Sequence, residues 1–96
     1  MTAQEVLDQL RTLLPELGAR YHVREIGLFG SLARGDARDT SDIDLLVEFD
    51  EAADLFDLIG LGLYLEDRLG RPVDVVPKNA VREELAQTIF NETLPV

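Results

Sequence analysis

Fifteen consecutive residues constrain this chain more than any other stretch: Gly30-Ser31-Leu32-Ala33-Arg34-Gly35-Asp36-Ala37-Arg38-Asp39-Thr40-Ser41-Asp42-Ile43-Asp44. An apolar run leads in (Ile26, Leu28, Phe29) and another leads out (Leu45, Leu46, Val47, Phe49). The pattern predicts a strand, a short crossover, and a second strand that opens with Asp-x-Asp. Side chains two apart on a strand share a face. Asp42 and Asp44 therefore project together, while Ile43, Leu45 and Val47 turn the other way into a core. Two carboxylates held that close repel, and one of them gains a raised pKa unless a cation intervenes.

A Mg²⁺ ion relieves that conflict, because it prefers oxygen ligands and binds through one or two carboxylates plus phosphate oxygens. Asp74 is the third acid, set inside the short apolar run Val73-Asp74-Val75-Val76, where a charge without a partner is costly to bury. If that run pairs with the second strand, three carboxylates (Asp42, Asp44, Asp74) meet. Three suit a two-metal site, in which one ion activates the attacking oxygen and the other steadies the leaving phosphate. Asp74 is assigned the ion nearer the nucleophile, or acceptance of its proton. Gly30 lets backbone approach a phosphate, Ser31 adds a hydroxyl donor at a helix start, and Arg34 lies one turn further on. For that turn to reach Asp42 and Asp44, the exit of the first strand must lie beside the entrance of the second. The two strands are then antiparallel within a mixed sheet.

The remaining residues read as a platform. Residues 3–20 form a helix capped by Thr2, with Val6, Leu10, Leu13, Leu14, Leu17 and Tyr21 in helical spacing. Pro15 either kinks it or starts a fresh turn. Strand one covers residues 23–29, a short helical segment 31–38, a turn 39–41, and strand two 42–49. The most apolar helix spans 54–69, with Leu55, Leu58, Ile59, Gly62, Leu65 and Leu69 as one stripe and Phe56, Leu61, Leu63 and Tyr64 widening it. So broad a surface implies deep burial, or burial on one side and an interface on the other. Gly70 stops it, Val73 to Val76 makes strand three, and Asn79 is expected to cap a last helix reaching about residue 91 with Val81, Leu85 and Ile89 on one face. Residues 93–96 are expected to be extended. The expected fold is α/β (α+β), a small mixed β-sheet with helices packed on it, in one domain spanning 1–96.

Charge narrows the partners. Nineteen acidic residues against nine basic ones give a formal net charge of −10, which opposes binding to nucleic acid. A basic protein, or a nucleotide brought in with its metal, is the natural counterpart. Without cysteine there is no disulfide framework or thiolate chemistry. The first residues lack the basic and apolar regions of a signal peptide, and no apolar run approaches a membrane span, so the expected location is cytoplasmic.

Taken separately the pieces are weak. A Gly-Ser turn caps many helices, an Asp-x-Asp is often a solvated face, and a lone Asp in a short strand often marks an edge. His22, the sole histidine, reads as a packing or surface residue, and Glu48 as solvated. Arg38 is as well suited to pairing with a carboxylate as with phosphate. Tyr21 and Tyr64 read as core or interface aromatics. The Gly30-Ser31 turn, Asp42-x-Asp44 and Asp74 together, in this order and spacing, favour a functional site.

Gly30-Ser31, ten residues, Asp42-x-Asp44 and a later Asp74 resemble the DNA polymerase β-like nucleotidyltransferase superfamily. The finer pattern, Leu-Phe-Gly-Ser-x-Ala-Arg-Gly, then Ser-Asp-Ile-Asp-Leu, then Leu-Gly-Arg-Pro-Val-Asp-Val-Val, is similar to the minimal nucleotidyltransferases (MNT, MntA-type antitoxins) across essentially the whole chain. That resemblance implies a polymerase β-like fold and a HEPN-domain toxin as partner, often an RNase. It further implies Mg²⁺-dependent transfer of AMP from ATP to a tyrosine of that toxin. Asp42, Asp44 and Asp74 would hold two Mg²⁺ ions, and Gly30 and Ser31 the triphosphate. Two alternatives are an antitoxin that acts sterically through the apolar face of residues 55–65, and a transferase for small molecules. The latter normally needs an added acceptor-binding domain.

Overall fold

The computed structural model describes residues 1–36 and 41–96. Helix α1 (Ala3–Tyr21) leads into strand β1 (Val23–Phe29) and the short helix α2 (Gly30–Arg34). Strand β2 (Ile43–Phe49), helix α3 (Leu55–Leu69) and strand β3 (Val73–Pro77) follow. A 3₁₀ turn (Lys78–Ala80), helix α4 (Glu83–Glu92) and a two-residue strand β4 (Leu94–Pro95) complete the order. The sheet runs β3-β2-β1-β4. Its β1–β2 and β1–β4 pairs are antiparallel and β2–β3 is parallel. The mixed sheet and the antiparallel first pair are those expected.

Register sorts the strands into two faces. Ile26 lies opposite Val47 and Leu28 opposite Leu45 on β1–β2, and Val73 and Val75 stand beside Ile43 and Leu45. These residues meet Val6, Leu10 and Leu17 of α1 and Leu61, Leu65 and Leu69 of α3 in one apolar cluster. The other face carries Phe29 opposite Asp44, Gly27 opposite Leu46, and Asp74 beside Asp44. One side of the sheet is thus the core, and the other carries the acids Asp44 and Asp74 beside buried Leu46.

Each helix end has a local cause. Thr2 Oγ1 accepts the Glu5 N–H at 3.1 Å to start α1, and His22 ends it in the left-handed conformation (φ 59°), its N–H donating to the Leu17 carbonyl. The helix runs through Pro15 as one element, at the cost of one backbone hydrogen bond. His22 also lies 3.4 Å from Asp50. A reciprocal capping box starts α3: the Asp57 N–H donates to Asp54 Oδ1 and the Asp54 N–H to Asp57 Oδ2, at 3.1 and 2.9 Å. Gly70 closes α3 with φ 69°. Tyr21 and Tyr64 pack together half-buried between α1 and α3, ring centroids 5.5 Å apart, and the Tyr64 hydroxyl donates to Glu16.

Several boundaries depart from expectation. Helix α2 stops at Arg34, not residue 38, because Gly35 turns left-handed (φ 84°) and its N–H caps the Leu32 carbonyl at 3.2 Å. Residues 37–40, including Arg38 and most of the expected turn, lie outside the described residues. Asp42 precedes β2 and does not belong to it. Asn79 does not cap the last helix; it lies in the 3₁₀ turn, and α4 begins at Glu83 after extended Val81 and Arg82. Leu85 is exposed on α4, while Val81 and Ile89 are half-buried. The tail is extended as expected, and it also forms the edge strand β4.

The α3 stripe divides. Leu61, Leu65 and Leu69 are buried, whereas Leu55, Phe56, Ile59 and Leu63 are exposed, Phe56 at 83%. The expected stripe placed Leu55 and Ile59 with Leu65. Instead Leu61, Leu65 and Leu69 pack into the cluster with Val6, Leu10 and Leu17 of α1 and the strand residues. Among the described residues no helix is long and apolar enough to cross a membrane. Truncating fully buried Leu65 to Ala should cost about 2–5 kcal/mol in urea denaturation. Exposed Leu63→Ala should stay within roughly 0.5 kcal/mol of wild type.

Candidate active site

The end of β1 and the start of β2 meet because the pair is antiparallel. Phe29 is opposite Asp44, so the next residue, Gly30, comes against the Asp44 side chain. A Cβ at position 30 would collide with that carboxylate, and Gly30 also has φ 79°. Both facts demand glycine there. Gly30 opens α2, with Ser31 half-buried one residue in. In the parallel β2–β3 register Asp74 stands directly beside Asp44. Ile43 and Leu45, on either side of Asp44, are fully buried in the core and hold its backbone in place.

These carboxylates act on one another. Asp44 is half-buried, while Asp42 and Asp74 are exposed. Its pKa is raised above the usual aspartate value, first by burial, then by the charges of Asp74 and Asp42, with Glu92 adding to them and Arg34 opposing. Arg34, exposed at the end of α2, has its Nη1 3.3 and 3.4 Å from the Glu92 oxygens and its Nε 3.5 Å from Asp36. Its pKa is raised, first by the charge of Asp36. Gly30 N–H donates to Glu92 Oε1 at 3.2 Å.

The six residues singled out in the sequence thus share one corner. The structure does not, however, gather the three aspartates into a closed cage: among the described residues no group of three or more acidic or histidine side chains is positioned to hold a metal ion. The donor set still fits Mg²⁺, which takes one or two carboxylates and completes its shell with water and phosphate oxygens. A cation would also remove the repulsion that raises Asp44.

Glu48 is not simply solvated. It lies 3.7 Å from Arg24 and 3.4 Å from Lys78. With Leu46, Phe90 and Thr93 these side chains line a cleft of about 520 Å³ that contains none of the six site residues. Glu92 was not singled out in the sequence. It lies 62 residues from Gly30, and no spacing rule connects the two.

A raised carboxyl pKa makes the folded state the better proton binder, so its stability falls as pH rises through the folded-state pKa. In metal-free buffer Asp44→Asn should therefore raise the thermal midpoint at neutral pH. That gain should fade as pH drops below the ordinary aspartate value, which paired melts across pH would show.

Comparison with known proteins agrees with this geometry. The family model for the nucleotidyltransferase domain matches residues 7–96. The protein adenylyltransferase MntA of Thermococcus cleftensis is 42% identical over 96 residues, covering 100% of this chain and 97% of its own length. A solved structure described as a candidate minimal nucleotidyltransferase superposes with a TM-score of 0.86 at 36% identity, over 100% of this chain and 97% of that one. A complex of a tri-AMPylated Shewanella oneidensis HEPN toxin with an MNT antitoxin shares the fold, with a TM-score of 0.68 at 23% identity over 96% of this chain and 69% of that one. An antiparallel pair that sets a Gly-Ser turn against Asp44, a parallel neighbour that adds Asp74, and matches over nearly the full length lead to one conclusion: this chain is an enzyme of the nucleotidyltransferase domain family, of the minimal type.

Proposed function

We propose that this chain is the antitoxin of a HEPN/MNT-type pair and transfers AMP from Mg²⁺–ATP to a tyrosine of its HEPN-domain toxin. One observation carries the reading: the strand register that sets Gly30, Asp44 and Asp74 at a single corner of the open sheet face. Its near-full-length relative is named a protein adenylyltransferase. Fold relatives include the AMPylated toxin complex and a toxin–antitoxin crystallised with AMP-PNP.

In this reading the Gly30 turn, the Ser31 hydroxyl and Arg34 bind and orient the triphosphate. Asp42, Asp44 and Asp74 hold the metal. Bound Mg²⁺ supplies charge neutralisation at the phosphates and at the attacking oxygen. A toxin tyrosine oxygen forms a bond to the α-phosphorus as the bond to the β-phosphate oxygen breaks, and pyrophosphate leaves. Asp74 accepts the phenolic proton, or would help hold the metal while that proton passes to solvent. Positioning and charge neutralisation account for most of the rate. The acceptor comes from the partner, and a net charge of −10 favours a basic one.

The exposed α3 face supports a second, steric contribution. Leu55, Phe56, Ile59 and Leu63 form an uncovered apolar stripe of the kind that marks an interaction site. Mass spectrometry of the toxin after incubation with this protein, ATP and Mg²⁺ should show AMP adducts on tyrosine. Asp42→Asn with Asp44→Asn should abolish them, and persistently unmodified toxin with the wild-type enzyme would refute the reading. If the stripe contributes, Ile59→Glu should weaken toxin binding at least tenfold, while the double carboxylate variant still binds.

A further inference from the structure

One carboxylate that the proposed reaction does not use stands among its phosphate donors. Glu92, the last residue of α4, accepts the Gly30 N–H at 3.2 Å, and both its oxygens accept from Arg34 Nη1. A carboxylate on a guanidinium and a backbone N–H makes the same kind of charge-assisted hydrogen bonds that a phosphate oxygen makes. The Glu92 side chain is only 25% exposed.

Its position is built into the backbone. Past Glu92 the chain crosses beside β1, where Leu94 pairs with Leu28 and Pro95 with Gly27, and the Val96 N–H donates to the Ile26 carbonyl at 3.1 Å. The Thr93 hydroxyl donates back to the Ile89 carbonyl at 2.6 Å. This crossing needs a glycine at position 27. A Cβ there would collide with the Thr93 methyl and stand 3.2 Å from the Leu94 carbonyl oxygen. The tail thus fixes the end of α4 and delivers Glu92 to the turn.

We propose that Glu92 is an internal competitor for the phosphate donors: without nucleotide it occupies the Gly30 N–H and Arg34, and the triphosphate binds by displacing it. Glu92 is then a positioning residue that sets nucleotide affinity. This rests on the nucleotide-binding reading of the Gly30 turn and Arg34. Glu92 holds the Gly30 N–H and the Nη1 of Arg34, the donors a phosphate oxygen would take, and the triphosphate enters a corner where Asp74, Asp42 and Glu92 already bear on Asp44. Arg34 is the cation that opposes them at Asp44. Removing the Glu92 charge frees the Nη1 side of Arg34, whose Nε stays 3.5 Å from Asp36, and lowers the repulsion the nucleotide meets.

The test is calorimetric titration of ATP into the full chain, with and without Mg²⁺. Glu92→Gln should tighten binding by about fivefold, as expected for releasing a partly exposed ion pair. Arg34→Ala should weaken it, and adding Glu92→Gln to Arg34→Ala should recover much less than fivefold. If Glu92 merely braces the turn, Glu92→Gln binds ATP equally or more weakly. That outcome, with wild-type binding intact, overturns the inference and leaves the nucleotide reading standing. Failure of the wild type to bind ATP overturns both. Should Glu92→Gln lose its cooperative melt, Glu92→Asp, too short to span both donors, is expected to tighten binding in the same direction, and no gain there overturns the inference.

Discussion

The antiparallel pairing of β1 with β2 is the contact on which everything else depends. Its register sets Leu28 against Leu45 and Ile26 against Val47 on one face, and Phe29 against Asp44 on the other. A slip of one residue would turn every side chain of β2 over. Asp44 would then point into the apolar cluster, and fully buried Leu45 and Val47 would face solvent. The burial that stabilises the sheet is therefore the same force that aims the carboxylate. Core and site are two faces of one register.

Around that pair the fold distributes cost unevenly. The core face is closed by α1 and α3, whose buried leucines pack on β2. On the other face Leu46 is buried, and α4, which has no fully buried residue, brings Glu92 to the Gly30 turn. Charge is concentrated there: Asp44 is held half-desolvated beside two other aspartates, and its raised pKa records the strain. Perturbed titratable groups of this kind cluster at functional sites.

The outer side of α3 presents a different imbalance. Four large apolar residues on one stripe stay in solvent, while the opposite stripe of the same helix is fully packed. With so small a core, leaving that much apolar surface uncovered is costly unless another chain covers it. The outer side of α3 therefore has the character of an interaction surface.

Much of this was legible in the residues. The Asp42-Ile43-Asp44 start of the second strand and the Gly30-Ser31 break specified two strands and their faces, since with side chains two apart on one face the acids at 42 and 44 leave Ile43, Leu45 and Val47 for the core. The antiparallel pairing followed from requiring both ends of one stretch to meet. Local chemistry likewise marked Thr2 and Gly70 as helix ends. Other features needed the folded chain. Which stripe of α3 is buried depends on how the helix packs on α1 and the sheet, and helical spacing alone cannot choose between stripes of a helix that is apolar almost all round. That α2 ends at Arg34 depended on Gly35 adopting a left-handed turn, one of several conformations open to it. Glu92 meets Gly30 and Arg34 only because the tail crosses Gly27, a contact between residues some sixty positions apart. Short-range pattern determined the strands, their faces and the acids they carry, because burial acts residue by residue. Tertiary structure decided which charges neutralise one another, because that depends on distances no local rule sets.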